Sequence, residues 1–433
     1  MKILKVIHGY PMRYNAGSEV YSQTVCHGLV KQGHTVQVFT SEENPFKTDG
    51  ELSVEFDSDE PKITLNVVNN PRNKDRYIYS IIDQRFSEVL KKFQPDIIHI
   101  GHLNHLSVSL VFEAKKQQIP VIYTLHDYWI MCPRGQFIQM YGDEVWEVCT
   151  KQDNLKCAKK CYARYFGGHK KHYEEDLEYW TKWVANRMNI AKQIVENTEL
   201  FIAPAKYLKQ RYINDFGIPE NKIVYLDYGF DRKRLSNRQR KEDIFTFGYI
   251  GTHIPAKGIQ LLIPAFGLTN KDTKLKIWGR ERNVNTAYLK KLVKRLPETK
   301  QKQVYWMGEY KNQNIVNDVF NNVDAIVVPS IWMENSPLVI HEAQQARVPV
   351  ITADVGGMKE YVKHNVNGLL FKHRSVEDLA KKMNILSEDP LLAKKLGKKG
   401  YLYSEDGQIP GLDEHIKELE KLYDKVIRGY KNE

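Results

Sequence analysis

Short apolar runs alternate with amphipathic helical patterns along most of the chain, and this alternation predicts parallel β-sheets. Residues 2–8 predict a buried strand, a helical pattern begins at Glu19, and residues 36–40 predict the next strand. A strand, a helix and a second strand joined by short connections form a βαβ unit, whose two strands run parallel. The other predicted strands are 97–100, 121–125, 200–203, 223–226, 244–250, 275–278, 304–307, 325–328 and 349–352.

A polar, basic run at 232–242 separates these strands into two series and is the best candidate for a linker. The predicted fold class is α/β, with two Rossmann-like domains that face a central cleft. The first domain comprises residues 1–231, with an insertion at about 132–192 where the alternation stops. The second comprises 232–410, and a final helix at 411–433 is expected to cross back to the first domain. Ligands are expected at the carboxyl ends of the strands.

The composition excludes several classes of protein. Of the 433 residues, 42% are apolar and 27% are charged, which is typical of a globular chain and not of a disordered one. The formal net charge of +11 suits phosphate-bearing substrates, an anionic membrane surface or nucleic acid. No stretch has the roughly 18–20 apolar residues of a membrane span, and the first residues lack the pattern of a signal peptide. We expect a cytoplasmic protein, or one peripheral to the inner face of the cell membrane.

The segment 325–342, AIVVPSIWMENSPLVIHE, carries the most chemical information. It predicts a strand, a loop and a helix, with Ser336 as the N-cap and Pro337 as the first helical residue. A helix N-terminus at the end of a parallel strand binds anions through free amides and the helix dipole. Glu334 precedes the cap, and Glu342 leans back from about a turn and a half into the helix. One carboxylate can then face sugar hydroxyls while the other reaches a ribose; two ordinary surface glutamates are the competing interpretation.

Glu334 and Glu342, placed after a strand that ends in PS, resemble the signature of family-4 retaining glycosyltransferases. The resemblance extends over nearly the whole chain. Its other segments are GSE (17–19), LHDYW (125–129) with the following CP, TFGYIGTHIPAKGIQLLIPAF (246–266) and TADVGGMKEYVKHNVNGLLF (352–371). It implies a GT-B fold and metal-independent transfer from a nucleotide-sugar donor, with retention of configuration at the anomeric carbon.

The resemblance also implies roles for single residues of the second domain. Glu334 is expected to touch the hydroxyls of the donor sugar beside the reaction centre, and Glu342 is expected to bind the ribose. The residues expected to form an amide cradle for the sugar and the phosphate are Asn335, Ser336, Pro337 and Leu338.

Lys257 is the candidate cation for the diphosphate. A flexible lysine at the start of a helical pattern can neutralise a diphosphate leaving group, although a solvated loop lysine is the competing interpretation. Members of the family often carry an arginine five residues earlier, where this chain has Thr252. His253 and Arg280 are the expected substitutes.

In the first domain, His126 follows a predicted strand and should lie at its carboxyl end. The resemblance implies that this histidine contacts the donor sugar and helps to position the acceptor. Asp127 is a candidate either to orient the imidazole or to help cap the next segment. The alternative is a histidine whose bonds are satisfied within the structure. Gly17 and Ser18 end the first βα loop, where backbone amides can approach the diphosphate or the donor sugar.

Four of the five cysteines fall within the insertion: Cys132, Cys149, Cys157 and Cys161. Four thiolates suffice for a structural zinc site, whereas free packed thiols and two disulfides are the alternatives. No cofactor is expected for catalysis.

The stretch 156–173 contains six Lys or Arg residues, four aromatic residues and no acid. It predicts contact with an anionic membrane surface, or it is only a solvated basic face. The predicted function is transfer from a UDP- or GDP-sugar to a saccharide or lipid-linked saccharide of a surface polysaccharide or glycolipid. The rival interpretations are a GT-B epimerase or phosphorylase and, with less support, a nucleic-acid-binding protein with a four-cysteine metal site.

Overall fold

The structure is a computed structural model that describes residues 1–11, 13–70, 77–140, 146–168, 172–240 and 242–432. Two β-sheets organise these residues, one in each half of the chain. All described strand pairs except one are parallel, so the carboxyl ends of the strands share one edge of each sheet. The prediction of two α/β domains is therefore confirmed.

The first sheet has eight strands in the order β3-β4-β2-β1-β5-β6-β7-β8, and only β3 and β4 pair antiparallel. The strands are β1 (Lys2–Val6), β2 (Thr35–Glu42), β3 (Leu52–Phe56), β4 (Thr64–Asn69), β5 (Ile97–Ile100), β6 (Val121–Thr124), β7 (Leu200–Ala203) and β8 (Ile223–Tyr225). The central strands β5, β6 and β7 are buried along their whole length, because helices cover both faces of a parallel sheet.

The second sheet has six parallel strands in the order β11-β10-β9-β12-β13-β14. They are β9 (Thr246–Ile250), β10 (Lys274–Trp278), β11 (Val304–Gly308), β12 (Ala325–Val328), β13 (Val350–Ala353) and β14 (Gly368–Phe371). Like the central strands of the first sheet, β12 and β13 are fully buried.

The described residues form fifteen α-helices. They are α1 (Gly17–Lys31), α2 (Ser80–Phe93), α3 (Leu110–Lys116), α4 (Asn154–Cys157), α5 (Tyr173–Glu196), α6 (Lys206–Arg211), α7 (Ile259–Gly267), α8 (Asn283–Val293), α9 (Glu298–Gln301), α10 (Ile315–Asp318), α11 (Leu338–Gln345), α12 (Met358–Tyr361), α13 (Val376–Glu388), α14 (Pro390–Lys399) and α15 (Leu412–Asn432). None of them is long and apolar enough to span a bilayer.

Sequence patterns missed the strands β3, β4 and β14. The strand β3 is an edge strand with exposed Val54 and Phe56, and the polar residues Ser53 and Glu55 interrupt its apolar positions. An edge strand buries less of its surface than a central strand does, so its sequence carries a weaker apolar signal.

The chain crosses between the domains twice, at adjacent places. Phe230, just before the linker, donates its N–H to Pro410 O at 3.0 Å, and Leu412 donates to Phe230 O at 2.9 Å. From there α15 runs along the first domain, where Asp413 pairs with Lys31 of α1 at 3.0 Å. The hydroxyl of Tyr423 lies 2.6 Å from Nδ1 of His99 on β5.

The insertion between β6 and β7 contains α4, a short π-helical segment at Ala158–Tyr162 and most of α5. Trp180 of α5 stacks on Tyr162 and Tyr165, with ring centroids 5.1 Å and 4.8 Å apart. Tyr162 and Tyr165 belong to the basic stretch 156–173, and their rings therefore pack inside the insertion. Lys170 and Lys171 of that stretch lie outside the described residues.

Candidate active site

A cavity of about 550 Å³ lies between the domains, at the carboxyl ends of both sets of strands. It receives residues from both domains, as expected for a ligand site in a parallel α/β fold. The predicted site residues that line it are Gly17, Ser18, His126, Asp127, Thr252, Lys257, Arg280, Glu334, Asn335, Ser336, Pro337, Leu338 and Glu342.

Lys257 and Glu334 form an ion pair at the cavity wall. The Nζ of Lys257 lies 2.9 Å from Oε1 of Glu334, which also accepts a hydrogen bond from the Ser330 hydroxyl. Glu334 is only 5% exposed, so this carboxylate is held in one position. Gly258, at φ +76°, lets the Lys257 turn pack on Pro329, because a Cβ there would lie 1.9 Å from the Pro329 carbonyl oxygen.

Two helix N-termini meet across the cavity. The helix α1 begins at Gly17, and α11 begins at Leu338. A Cβ on Gly17 would lie 3.4 Å from a methyl group of Leu338, which shows how closely the two helix ends approach each other. The first amides of a helix have no partner within the helix, and its dipole is positive at this end. The cavity wall between Gly17 and Leu338 therefore favours an anion.

The prediction that Ser336 caps α11 and that Pro337 is its first residue is wrong. The N-cap residue is Pro337, without a side-chain cap. The Ser336 hydroxyl instead points across the domain boundary and donates to Asp227 Oδ1 at 3.3 Å. Asp227 is buried and also lies 3.0 Å from Nε2 of His341 and 2.7 Å from the Tyr401 hydroxyl. Burial alone would raise the pKa of Asp227, but the charge and hydrogen bond of His341 outweigh it and lower the pKa.

Glu342 lies in the same cavity, and its partner was not predicted. Nη2 of Arg234, from the linker, lies 3.3 Å from Oε1 of Glu342. Burial raises the pKa of Glu342, while the positive charge of Arg234 acts in the opposite direction. Tyr310 lines the cavity beside this pair. No sequence motif marks Arg234, because it meets Glu342 only through the tertiary structure.

His126 is held by bonds from both domains. Its Nδ1 lies 2.7 Å from the hydroxyl of Tyr228, and the two rings stack with centroids 5.6 Å apart. The Asn335 side chain donates to the backbone oxygen of His126. Burial lowers the pKa of His126 well below its usual value, and the nearby charge of Lys5 lowers it further. The imidazole is therefore neutral at physiological pH.

The predicted substitutes for the missing family arginine have different positions. Arg280 lines the cavity and pairs with Glu309 at 3.4 Å. His253 is buried outside the residues that line the cavity, and its Nδ1 lies 3.1 Å from the Thr286 hydroxyl. The expectation that His253 contacts the diphosphate therefore has no support, because its ring packs against Trp306 behind the cavity wall. Arg280 remains a candidate for contact with the diphosphate, whereas Thr252 is uncharged.

Two histidine–carboxylate pairs line the first-domain side of the cavity. His8 lies 3.2 Å from Glu19, and His102 lies 3.3 Å from Asp127. Burial alone would raise the pKa of Glu19, but the hydrogen bond and charge of His8 lower it to about 2. No sequence motif singled out His8, Glu19 or His102 as side chains of this cavity. Because His8 and His102 follow β1 and β5, the strand-end argument that selected His126 could have found both histidines.

The four clustered cysteines lie away from this cavity and line a second, much smaller one. All four are free thiols. Within the described residues, no group of three or more His, Cys, Asp and Glu side chains has the arrangement of a metal site.

The fold and the site define a glycosyltransferase with two Rossmann-like domains. The chain belongs to Glycosyltransferase Family 4, whose profile matches residues 16–234, and the profile "Glycosyl transferases group 1" matches residues 231–403.

Among its relatives is an uncharacterized 42.6 kDa protein from the cps region of Klebsiella pneumoniae, 25% identical over 81% of this chain and 84% of that protein. An uncharacterized glycosyltransferase of Methanocaldococcus jannaschii is 22% identical over 88% of this chain and 87% of its own length. The capsular polysaccharide biosynthesis glycosyltransferase CapM of Staphylococcus aureus is 26% identical over 46% of this chain and 55% of its own.

Solved structures share the fold over the full length. HepE of Anabaena, solved in complex with UDP, superposes with a TM-score of 0.68 and 16% identity, over 98% of this chain and 100% of that one. Sucrose-phosphate synthase of Thermosynechococcus elongatus superposes with a TM-score of 0.69 and 16% identity, over 99% of both chains. The predicted GT-B fold and family are therefore confirmed.

Proposed function

We propose that this glycosyltransferase transfers a sugar from a nucleotide-sugar donor to a saccharide or lipid-linked saccharide, with retention of configuration. The observation that carries the proposal is the Lys257–Glu334 pair, a cation and a buried carboxylate beside two helix N-termini in the cleft. A role in surface polysaccharide or glycolipid synthesis is supported by the name of CapM. A UDP-sugar is the first donor to test, because HepE was solved with UDP-glucose; a GDP-sugar is the alternative.

The donor diphosphate would lie between the N-termini of α1 and α11. Its arrival would break the Lys257–Glu334 pair, since Lys257 gains a stronger anionic partner and Glu334 becomes free to accept hydrogen bonds from the sugar. The cradle at 335–338 would hold the sugar and phosphate, and Arg280 would turn from Glu309 toward the diphosphate. The ribose hydroxyls would likewise compete with Arg234 for Glu342.

The transfer needs no protein nucleophile in this proposal. The bond between the anomeric carbon and the phosphate oxygen breaks first, and Lys257 and the helix N-termini stabilise the negative charge that develops on the diphosphate. The acceptor hydroxyl then attacks from the same face and passes its proton to the departing phosphate oxygen, so that configuration is retained. These groups supply the positive charge in this metal-independent proposal.

The acceptor would bind against the first domain, which we assign to residues 1–231, while 232–410 hold the donor. The two histidine–carboxylate pairs, His8 with Glu19 and His102 with Asp127, offer fixed hydrogen-bonding groups for sugar hydroxyls. His126, neutral and held by Tyr228, would lie between the donor sugar and the acceptor.

A lipid-linked acceptor would bring the enzyme to an anionic membrane surface at the inner face of the cell membrane. Lys159 and Arg164 are the exposed cations of the described part of the basic stretch, and Tyr173 is 46% exposed. Because Tyr162 and Tyr165 pack against Trp180, the attraction would be mainly electrostatic.

The direct test is incubation with a panel of UDP- and GDP-sugars, with and without saccharide acceptors. Nuclear magnetic resonance of the product should show the same anomeric configuration as in the donor. An inverted product would contradict the proposed mechanism. A sugar epimer formed without acceptor, or a sugar phosphate formed from a glycoside and phosphate, would instead support an epimerase or a phosphorylase.

A further inference from the structure

Four cysteines converge on one small cavity in the insertion, although they come from separate segments of the chain. The cavity has a volume of about 10 Å³, close to the space that a single water molecule or ion needs. Cys132, Cys157 and Cys161 are buried, and Cys149 is partly exposed. Apart from the cysteines and two lysines, the lining residues are Phe137, Ile138, Gln139 and Gln152, which contribute no carboxylate. The four sulfurs are therefore the metal-binding groups of this cavity.

Backbone hydrogen bonds fix the position of each of these cysteines. Cys149 donates its N–H to Phe137 O at 2.6 Å, beside the antiparallel bridge between Ile138 and Val148. Cys157 and Cys161 are four residues apart at the end of α4 and in the π-helical segment, so both face the same side.

Cys132 begins a tight turn whose amides are directed at its own sulfur. The N–H of Gly135 bonds to Cys132 O at 2.8 Å and closes the turn. Burial raises the pKa of the Cys132 thiol, while backbone N–H groups of this turn, those of Phe137 and Arg134 among them, act in the opposite direction. Amides that point at a sulfur stabilise a thiolate, the form in which cysteine binds metals.

Positive charge surrounds the same cavity. Lys156 and Lys160 line it, and the Lys156 ammonium and the Cys149 thiol both donate to Lys151 O, which places the ammonium near the sulfur. Burial raises the pKa of the Cys161 thiol to about 12, and the positive charge of Arg134 acts in the opposite direction. A divalent ion bound by four thiolates carries a net charge of −2, and these cations would offset it.

We propose that Cys132, Cys149, Cys157 and Cys161 bind one Zn²⁺ ion in a tetrahedral structural site. In the structure the sulfurs stand around the cavity without the spacing of a formed site. Binding would rotate them inward to a Zn–S distance of about 2.3 Å, with release of the four thiol protons.

The site would stabilise one wall of the active-site cleft. Gly135, in the turn begun by Cys132, accepts a hydrogen bond from the N–H of Tyr128 at 3.1 Å. The Tyr128 hydroxyl in turn donates to Met333 O, next to Glu334. The metal would thereby hold the segment that follows His126 against the second domain, without touching the substrate.

The test is elemental analysis of the full-length protein purified under reducing conditions without chelator. We expect about one zinc per chain, and less than about a fifth of that in Cys157→Ser and in Cys161→Ser. Both variants should melt at least about 5 °C lower than the unchanged protein. Cys26→Ser is the matched control, because Cys26 is equally buried but lies outside the cluster; this variant should keep its zinc.

A second measurement on the unchanged chain covers the case in which the variants do not fold. Protein produced with Co²⁺ in place of zinc should show the visible absorption of tetrahedral cobalt and the near-ultraviolet bands of cobalt–thiolate bonds. Less than about a tenth of an equivalent of metal, together with no such spectrum, would overturn the proposal. Mass spectrometry that finds two disulfides among the four cysteines in the protein as isolated from the cell would also overturn it.

Discussion

The hydroxyl of Tyr21 on α1 lies 2.8 Å from Nε2 of His415 on α15, although 394 residues separate them in the chain. Both side chains are buried. His415 also packs on Gly229, three residues before the linker, where a Cβ would lie 2.3 Å from the His415 Cβ. This contact fastens the C-terminal helix to the first domain at the point where the chain crosses between the domains.

The burial of His415 makes stability depend on pH. Burial lowers the pKa of His415 to about 4, below the value of 6.5 that is usual for histidine. Between these values the unfolded chain binds a proton at this position and the folded protein does not. The free energy of unfolding therefore falls as the pH decreases from 6.5 to 4, by up to about 3 kcal/mol from this group.

His415→Gln removes this titration, so the variant should lose less stability on acidification than the unchanged protein. Urea unfolding at about pH 7 and about pH 4.5 measures the difference. His172→Gln, at an exposed histidine outside this contact, is the matched substitution for comparison. An equal loss in His415→Gln and the unchanged protein would show that His415 does not contribute.

Lys257→Met and Glu334→Gln should each lower kcat by on the order of 100–1,000-fold, because each removes a fixed charge from the reaction centre. The melting temperature of Glu334→Gln should change little, because Lys257 is partly exposed to the cavity. Lys257→Met should lower the melting temperature, because it leaves the buried Glu334 carboxylate without its cation. Steady-state kinetics measure kcat, with a donor and an acceptor identified in the panel of nucleotide sugars described above. Lys274→Met is the matched control, because Lys274 pairs with Glu242 at 2.9 Å outside the cavity. A wild-type kcat in Lys257→Met or Glu334→Gln would remove that residue from the mechanism.

Glu342→Gln should weaken nucleotide binding more than it slows the transfer, because its proposed contact is with the ribose. A loss of one charge-assisted hydrogen bond corresponds to roughly a tenfold rise in the Kd for the nucleoside diphosphate. Titration calorimetry with UDP and GDP measures the Kd. A large fall in kcat with an unchanged Kd would contradict the assignment and would place Glu342 at the reaction centre.

The basic stretch should attract anionic vesicles if it carries the membrane contact. Lys159→Glu combined with Arg164→Glu should reduce sedimentation with vesicles of phosphatidylglycerol and phosphatidylcholine, since each cation near such a surface contributes about 1 kcal/mol at most. Activity on a short soluble acceptor should be unchanged. Lys394→Glu combined with Lys398→Glu, at exposed lysines of the second domain, is the control of equal charge. If the unchanged protein does not sediment with the vesicles even at low salt, the stretch is only a solvated basic face.

Local sequence was sufficient to predict an element where one interaction, such as the burial of apolar side chains, dominates. The strands β5, β7 and β12 have the predicted bounds, because a strand buried on both faces is a continuous apolar run between polar ends. Glu334, Lys257 and His126 could be selected because each follows a strand or opens a helix, and their motifs resemble those of a family. The prediction of an N-cap at Ser336 was wrong because Asp227, a buried carboxylate of the other domain, accepts the hydrogen bond of the Ser336 hydroxyl.

The alternation of apolar runs and helical patterns by itself determined two parallel sheets and the edge at which the cavity lies, since both follow from local burial and chain direction. Only the tertiary structure decided which charges face each other. It joined Arg234 to Glu342, His8 to Glu19 and Tyr21 to His415, pairs that no spacing along the chain could reveal. The physical reason is that electrostatic and hydrogen-bond partners are chosen by distance in space, and that distance is set only when the two domains and the C-terminal helix have packed.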